Sequence, residues 1–386
     1  MKILIVHQHY VVGRYQNTFY EIKKQFPNAQ IDIIVPRHFK MGVVISAENP
    51  YPHELNVHML YAPFAKKGKQ HLFFFIGLKK IIQKIKPDII WAQAPNSLNT
   101  FQVTRIAKKL SIPVALLRFS NYKRDYLKIY NFFDPRRYLY HFFRIYTYKY
   151  ASAVYVIDDL VESVVKWEGF NGTILHGMTM GVSDEFYNIG KTRINENKPT
   201  KLTFGFVGRL TPAKGLDILI DAFSEISKKY SHNLKIVGDG PYRNLLLRKI
   251  ENSKIKKRIQ LEKFVPYEKV VEKYKEIDVL ILVSEKKGRA LEQFGRVLVE
   301  AQATGTIVIG SNVGGIPNAI RDGGFVVSEG SIQELVDVMK HIANLDNDDY
   351  INEKHKSFNS SLSNFSDPVL GKEIYHNFQK LLKIES

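Results

Sequence analysis

The chain has 386 residues, 45% of them hydrophobic, and no cysteine; it is long for one core and suits two domains. The missing cysteines exclude disulfides, thiol catalysis and cysteine-ligated metal sites, and are compatible with a reducing, cytosolic compartment. Lys plus Arg is 56 against 38 Asp plus Glu, a net charge of +18, and 18 bases to three acids fall between Tyr61 and Tyr150, which points to an anionic partner such as lipid headgroups, nucleic acid or a phosphorylated substrate.

In chain order, the first half offers the strand candidates "KILIV", "IDIIV", "LNVHML", "DIIWA", "PVALLRF" and "AVYVI". Helical patterns lie between several of them, including 73–86 and 97–110. "KILIV" is short and runs at once into "HQHY", so it reads as a first strand and not a signal sequence. "HLFFFIGL" at 71–78 is far below the roughly 20 residues of a bilayer span, so a soluble or membrane-adherent protein is expected. The second half offers "LTFGFVG", "LKIVG", "IQLEKFV", "VLILVS", "TIVIGS" and "GFVVS", separated by patterns such as "GLDILIDAFSEISKKY". Strand–helix alternation occurring twice predicts an α/β protein of two doubly wound domains. The expected division is 1–190 and 200–364 across the polar join "YNIGKTRINENKPTK", with 365–386 as a terminal helix. The polar stretch 344–364 reads as a connector, and its Asp346-Asn347-Asp348 triplet as a solvated turn.

Three motifs follow strands of the second half. In "FGFVGRLTPAKGLDILI" a strand ends at Val207. Gly208 permits a tight turn, and Arg209 and Lys214 suit a pyrophosphate at a strand's carboxyl end. In "LKIVGDGPYRNLL" the run Gly238-Asp239-Gly240 lacks the third glycine of a dinucleotide fingerprint, that place being Arg243. In "VLILVSEKKGRALEQFGRVLVEAQAT", Gly295 opens a helix whose unpaired first-turn N–H groups favour anions. Glu292 on the loop and Glu300 in the helix are carboxylates suited to accept from sugar hydroxyls.

"GRLTPAKG", "VGDGP", "EKFVPYEKV", "EQFGRVLVEAQATGTIVIGSNVGGIPNAI" and "GGFVVS", in this order, resemble the C-terminal half of glycosyltransferase family 4 (glycosyl transferases group 1), across about residues 202–340. "MKILIVHQHY", "VIDDLVESVVKWEG" and "HGMTMGVSDEFY" match the N-terminal half more loosely. The resemblance implies a GT-B fold: two Rossmann-like domains, the N-terminal one binding acceptor and the C-terminal one nucleotide sugar, with the active site in the cleft between them. It further implies retaining, metal-independent hexosyl transfer. Arg209 and Lys214 would neutralise the leaving diphosphate, Glu292 would face the donor sugar, and Glu300 would bind the ribose hydroxyls. Amides around Phe294 and Gly295 would approach sugar and phosphates. The loop Lys263, Phe264, Val265 would cradle the base, Gly208 and Gly238 would line the nucleotide cleft, and Gly13 would sit beside the donor phosphates. The donor is expected to be a UDP- or GDP-sugar, with no cofactor and no metal. The terminal helix is expected to return to the N-terminal domain.

The sequence departs from the pattern where many relatives carry a histidine after "PVALLRF"; here stand Arg118, Phe119, Ser120 and Asn121. Arg118 suits either a phosphate or acidic sugar, or a structural ion pair. His7 and His9 end the first strand, and either a catalytic or a structural role fits them. The segment "NYKRDYLKIYNFFDPRRYLYHFFRIYTYKY", 121–150, mixes aromatics with cations, as interfacial surfaces do. It predicts a peripheral protein on the inner membrane face acting on a lipid-linked or cell-surface glycan acceptor; nucleic acid is disfavoured because no recognised binding motif appears. The alternatives are a nucleotide-sugar epimerase of the same architecture, and a basic lipid- or nucleic-acid-binding protein with a vestigial nucleotide cleft.

Overall fold

A computed structural model describes residues 1–41, 43–123, 131–288 and 291–384. It divides into Met1–Gly181 with the terminal segment from Asp367, and Val182–Ser366.

The first unit holds β1 (Lys2–Val6), β2 (Gln30–Pro36), β3 (His38–Met41), β4 (Val43–Ser46), β5 (Asn56–Leu60), β6 (Ile89–Ala92), β7 (Val114–Arg118), β8 (Ala153–Val156) and β9 (Thr173–His176). Seven of these form a parallel sheet in the order β5-β2-β1-β6-β7-β8-β9, and β3 and β4 pair as a separate antiparallel hairpin. The central strands are apolar along their whole length because both faces are covered: all of β6, β7 and β8 is buried. Each strand expected in this half is present. The hairpin and β9 were not expected; they are four-residue strands with exposed positions, too short and too polar to register as buried runs.

The second unit holds β10 (Thr203–Val207), β11 (Asn233–Val237), β12 (Ile259–Glu262), β13 (Val279–Leu282), β14 (Ile307–Ser311) and β15 (Phe325–Val327). Their order is β12-β11-β10-β13-β14-β15, all parallel. Strand order reverses between β10 and β13, and such a switch point opens a crevice at the carboxyl ends of the two strands.

The division falls at 181/182, before the polar join. Helix Asp184–Arg193 belongs to the second unit because its last residue is buried there: the Arg193 guanidinium donates to the carbonyls of Tyr274, Ile277 and Thr304 and to Thr306 Oγ1 at 3.0–3.1 Å. The stretch 344–364 is no connector. Asp346 accepts from Asp349 N at 2.8 Å and caps a 19-residue helix, Asn347–Phe365. Its buried face mixes Tyr350, Phe358 and Phe365 with Ser357, Ser360 and Ser361, and the serines hide the helical period from a hydrophobicity reading. The helix expected over 73–86 begins only at Leu78. Gly77 at φ +82° interrupts the chain before it, and the phenylalanines upstream alternate in burial as an extended segment does.

The terminal helix Asp367–Ile384 lies in the first unit. Asp367 Oδ1 accepts from Thr18 Oγ1 at 2.5 Å, Tyr375 stacks on Phe26 at 3.9 Å between ring centroids, and Phe378 meets Trp91 edge-on at 5.4 Å.

At the end of β1 the His7 imidazole is buried, and its Nδ1 accepts from His9 N at 3.1 Å. Burial, and then the neighbouring His9, hold its pKa well below the usual histidine value, so it folds neutral. A depressed histidine costs stability once the unfolded chain takes up the proton, below about pH 6.5. Stability of the first unit is therefore full at pH 7.5 and declines as the pH falls through 6. Urea melts at pH 7.5, 6 and 5 will show this loss, and His7→Asn, which keeps an acceptor without a titrating ring, will flatten the slope.

Candidate functional site

The loops at the switch point are pressed together backbone against backbone. A Cβ on Gly238 would lie 1.9 Å from the carbonyl oxygen of Gly208, and one on Gly240 2.3 Å from that of Leu210. Gly215, at φ +67°, lies so close to Val283 that a Cβ would stand 1.8 Å from its oxygen. Only glycine fits such approaches. The turns after β10, β11 and β13 thereby form one rigid rim.

Arg209 stands on this rim, exposed, and forms no hydrogen bond or ion pair with the described residues. Lys214 is brought to Glu292: its Nζ pairs with Glu292 Oε2, to which Ser284 Oγ also donates at 3.2 Å. Ser284 lies two residues past the end of β13, and nothing in the sequence distinguishes its hydroxyl until the chain folds Glu292 back onto it. The Glu292 segment is held from behind by the pair Gly314-Gly315. Gly315 N donates to Glu292 O at 3.1 Å, and a Cβ on Gly314 would lie 1.9 Å from that oxygen.

Gly295 has φ +90° and precedes helix Arg296–Ala303. The amides of Phe294, Gly295 and Val297 reach no acceptor among the described residues, so this helix mouth offers free N–H donors. The Phe294 ring is 8% exposed and packs edge-on against Phe365; the residue contributes its backbone and anchors the turn with its side chain.

Glu300 is 3% exposed and surrounded by donors. Arg296 Nε donates to Oε1 at 2.8 Å, Tyr267 OH to Oε1 at 3.1 Å and Tyr274 OH to Oε2 at 3.0 Å. Burial, then the adjacent carboxylate, push both tyrosine pKa values up, so the hydroxyls remain donors. A carboxylate has about four lone-pair sites, and three are used within the protein. The tyrosines escaped the sequence reading because they sit on other elements, outside the Glu292–Glu300 spacing.

Phe264 is 67% exposed on the loop after β12, with Val265 half-buried beside it. Arg243, the residue in the third-glycine position, braces this loop and the one after β11: its Nη1 donates to Gly238 O at 3.0 Å and Glu262 O at 2.9 Å. Gly13 belongs to the first unit and is buried, its N–H donating to Glu48 Oε2 at 2.7 Å.

Of the two readings of Arg118, the ion pair is the one found. Arg118 is 5% exposed, with Nη2 2.7 Å from Glu168 Oε1, and Tyr148 OH donates to Glu168 Oε2 at 2.7 Å. Among the described residues one group has metal-ligating composition, Asp159, Glu162 and His176. It is a surface network in which Lys166 Nζ already lies 2.5 Å from Glu162.

Of the basic aromatic segment, 124–130 lie outside the described residues. Helix Pro135–Tyr150 buries Tyr140, Phe143 and Tyr148 and exposes Tyr138, Leu139, Phe142 and Ile145, with Phe132 and Phe133 exposed just before it. No helix among the described residues is long and apolar enough to cross a membrane.

Residues 189–359, most of the second unit, match the family described as glycosyl transferases group 1. The chain is similar to the D-inositol 3-phosphate glycosyltransferase of Corynebacterium efficiens, 33% identical over 161 residues, which cover 37% of this chain and 36% of that protein. It is also similar to the phosphatidylinositol N-acetylglucosaminyltransferase GPI3 subunit of Saccharomyces cerevisiae, 29% identical over 168 residues, covering 42% and 36%. The matches thus span little more than a third of these relatives. Over 98% of this chain and 100% of the other, the fold is similar to that of Anabaena HepE, crystallised in complex with UDP, with a TM-score of 0.65 at 18% identity. These comparisons tie residues 189–359 to the glycosyl transferases group 1 model and give the fold of the chain as two Rossmann-like domains, the GT-B architecture.

The Glu300 cluster generates a stability prediction. Glu300→Ala leaves the buried Tyr274 hydroxyl, the half-buried Tyr267 hydroxyl and the half-buried Arg296 guanidinium without this acceptor, and will lower the stability of the second unit by about 1–3 kcal/mol. Glu300→Gln, which keeps an acceptor oxygen, will lose less. Urea melts of the two variants measure the difference.

Proposed function

We propose that the protein is a retaining glycosyltransferase that moves a sugar from a nucleotide-diphosphate sugar to a hydroxyl of a lipid-linked or cell-surface glycan, without a metal ion. The observation that carries this is the switch-point rim: Arg209, which has no partner among the described residues, Lys214 joined to Glu292, and the open amides at Gly295 all stand on loops leaving the carboxyl ends of β10 and β13.

In this reading the diphosphate lies over the amides of Phe294 and Gly295 and between the two cations. As the bond from the anomeric carbon to the phosphate oxygen breaks, negative charge grows on that oxygen. Fixed positive charge there stabilises the transition state more than the ground state. The acceptor oxygen bonds to the anomeric carbon on the face that the phosphate leaves, and its proton passes to the departing phosphate. Lys214 thus exchanges a carboxylate partner for a phosphate, and Glu292, released, accepts from a hydroxyl of the donor sugar.

Phe264, exposed on a loop braced by Arg243, stacks on the base, with Val265 beside it and Gly208 and Gly238 clearing space for the nucleotide. Glu300 uses its remaining lone-pair capacity for ribose, with Tyr267 and Tyr274 holding the carboxylate in place. A Cβ on Gly13 would lie 2.9 Å from Pro50 Cγ and 3.0 Å from Glu48 Oε2, so its lack of a side chain serves the packing of its own loop. The exposed aromatic and cationic face of helix Pro135–Tyr150 rests on an anionic membrane at the cytoplasmic side, where a lipid-linked acceptor is reached.

A ligand that binds the folded state raises its melting temperature. A panel of UDP- and GDP-sugars is expected to contain one that does so, and Arg209→Ala is expected to reduce that shift. A panel with no shift at millimolar donor would overturn the reading. With donor and acceptor in hand, Arg209→Ala is expected to lower kcat by about 100-fold or more.

A further inference from the structure

The first unit contains a second concave site, which none of the assignments above uses. It is a cavity of about 510 Å³ beside helix Leu98–Lys109, within the roughly 300–1,000 Å³ typical of small-molecule pockets. Phe74, Phe101 and Ile106 line it, and Lys79, Arg105 and Lys109 stand around it.

The segment "LFFFIG", 72–77, explains how the cavity forms. Gln102 stitches this segment to the helix, its Oε1 accepting from Phe75 N at 2.9 Å and its Nε2 donating to Phe75 O at 2.7 Å. Burial alternates along Phe73, Phe74 and Phe75, as it does where successive side chains point to opposite sides. Phe73 and Phe75 enter the core, and Phe74 is left on the other side as a wall of the cavity. Phe101 forms a further wall and touches Phe142 at 5.5 Å between ring centroids, so the apolar lining continues onto the exposed face of helix Pro135–Tyr150.

The charge around the cavity has one sign. Lys79, Arg105 and Lys109 are exposed, and the described residues offer them neither a hydrogen bond nor an ion pair. Helices Leu78–Ile85 and Leu98–Lys109 carry no acidic residue, and Asp88 is the only acid between Glu54 and Asp125. An apolar cavity ringed by cations that the described residues leave unneutralised is complementary to a molecule with a hydrocarbon chain and an anionic head.

We propose that this cavity seats the hydrocarbon chain of a phosphate-headed lipid, with Lys79, Arg105 and Lys109 holding the phosphate. The proposal adds a specific lipid site to the membrane-facing part of the function above, and is independent of the donor assignment.

The test uses the full chain and dodecyl phosphate below its micelle concentration, followed by thermal shift and by titration calorimetry. Dodecyl phosphate is expected to bind and to raise the melting temperature, with inorganic phosphate and dodecyl maltoside each doing so far less. The double variant Arg105→Glu/Lys109→Glu, at exposed positions, is expected to weaken binding by about tenfold or more, and Ile106→Glu to abolish it. Far-UV circular dichroism will check that each variant is folded. Equal shifts from inorganic phosphate would mean a headgroup site without a chain. Equal shifts from the maltoside would mean unspecific apolar adhesion, and displacement of dodecyl phosphate by an acidic amphipathic peptide at lower concentration would mean a protein partner. Each of these results, or unchanged binding in both variants, overturns the proposal. Phe142→Ser tested on phosphatidylglycerol vesicles separates the two readings: loss of vesicle binding with dodecyl phosphate binding retained assigns the surface to the helix face and the chain to the cavity.

Discussion

The second unit depends on a steric constraint: three loops at the carboxyl edge of its sheet must touch through their backbones. Gly208 meets Gly238, Leu210 meets Gly240, and Gly215 meets Val283, each at a distance that a single methyl group would prohibit. Because the contact is main chain on main chain, it leaves no side-chain layer that could rearrange. The positions of Arg209 and Lys214 at the ends of those loops follow from it. The same device recurs behind the helix mouth, where Gly314 and Gly315 receive the backbone of Glu292.

The two glutamates of the site have different physical situations. Glu292 is partly exposed and held by a lysine and a serine, both of which a ligand can replace. Glu300 is buried and held by an arginine and two tyrosines, and its removal takes an acceptor from all three. A buried carboxylate in such a cage is oriented before any ligand arrives, so the ordering cost on binding is small. The cage also makes Glu300 a structural element, so its substitution perturbs the second unit itself as well as any ligand contact proposed there.

Positive charge in the first unit is organised by exclusion of acids more than by accumulation of bases. In most surface helices lysine and arginine are offset by acidic neighbours three or four residues away. Helices Leu78–Ile85 and Leu98–Lys109 contain no such neighbours. Their field is therefore uncompensated locally, and it surrounds apolar surface formed by Phe74 and Phe101. Hydrophobic burial and electrostatic attraction then act on the same ligand, which is the combination that distinguishes an amphiphile from a simple anion.

Sequence alone carried the strands of both sheets except β9, because buried parallel strands are continuous apolar runs bounded by glycine or polar turns. It carried the positions of Gly208, Gly238 and Gly295, because positive φ and close backbone approach admit essentially one residue type. Local sequence could not carry contacts between distant elements. The tertiary structure decided that Ser284 and Lys214 meet at Glu292, that Tyr267 and Tyr274 enclose Glu300, and that Arg118 belongs to Glu168. It also decided that 344–364 is a helix, since its serine-lined face becomes an interior face only once packed. The segment after His71 shows the same limit: its phenylalanines suit a helix or an extended run equally by composition, and the Gln102 amide, 27 residues away from Phe75, selects the extended form. Periodicity and backbone sterics are local and can be read along the chain, whereas the partner of a polar side chain is set by which strands lie side by side.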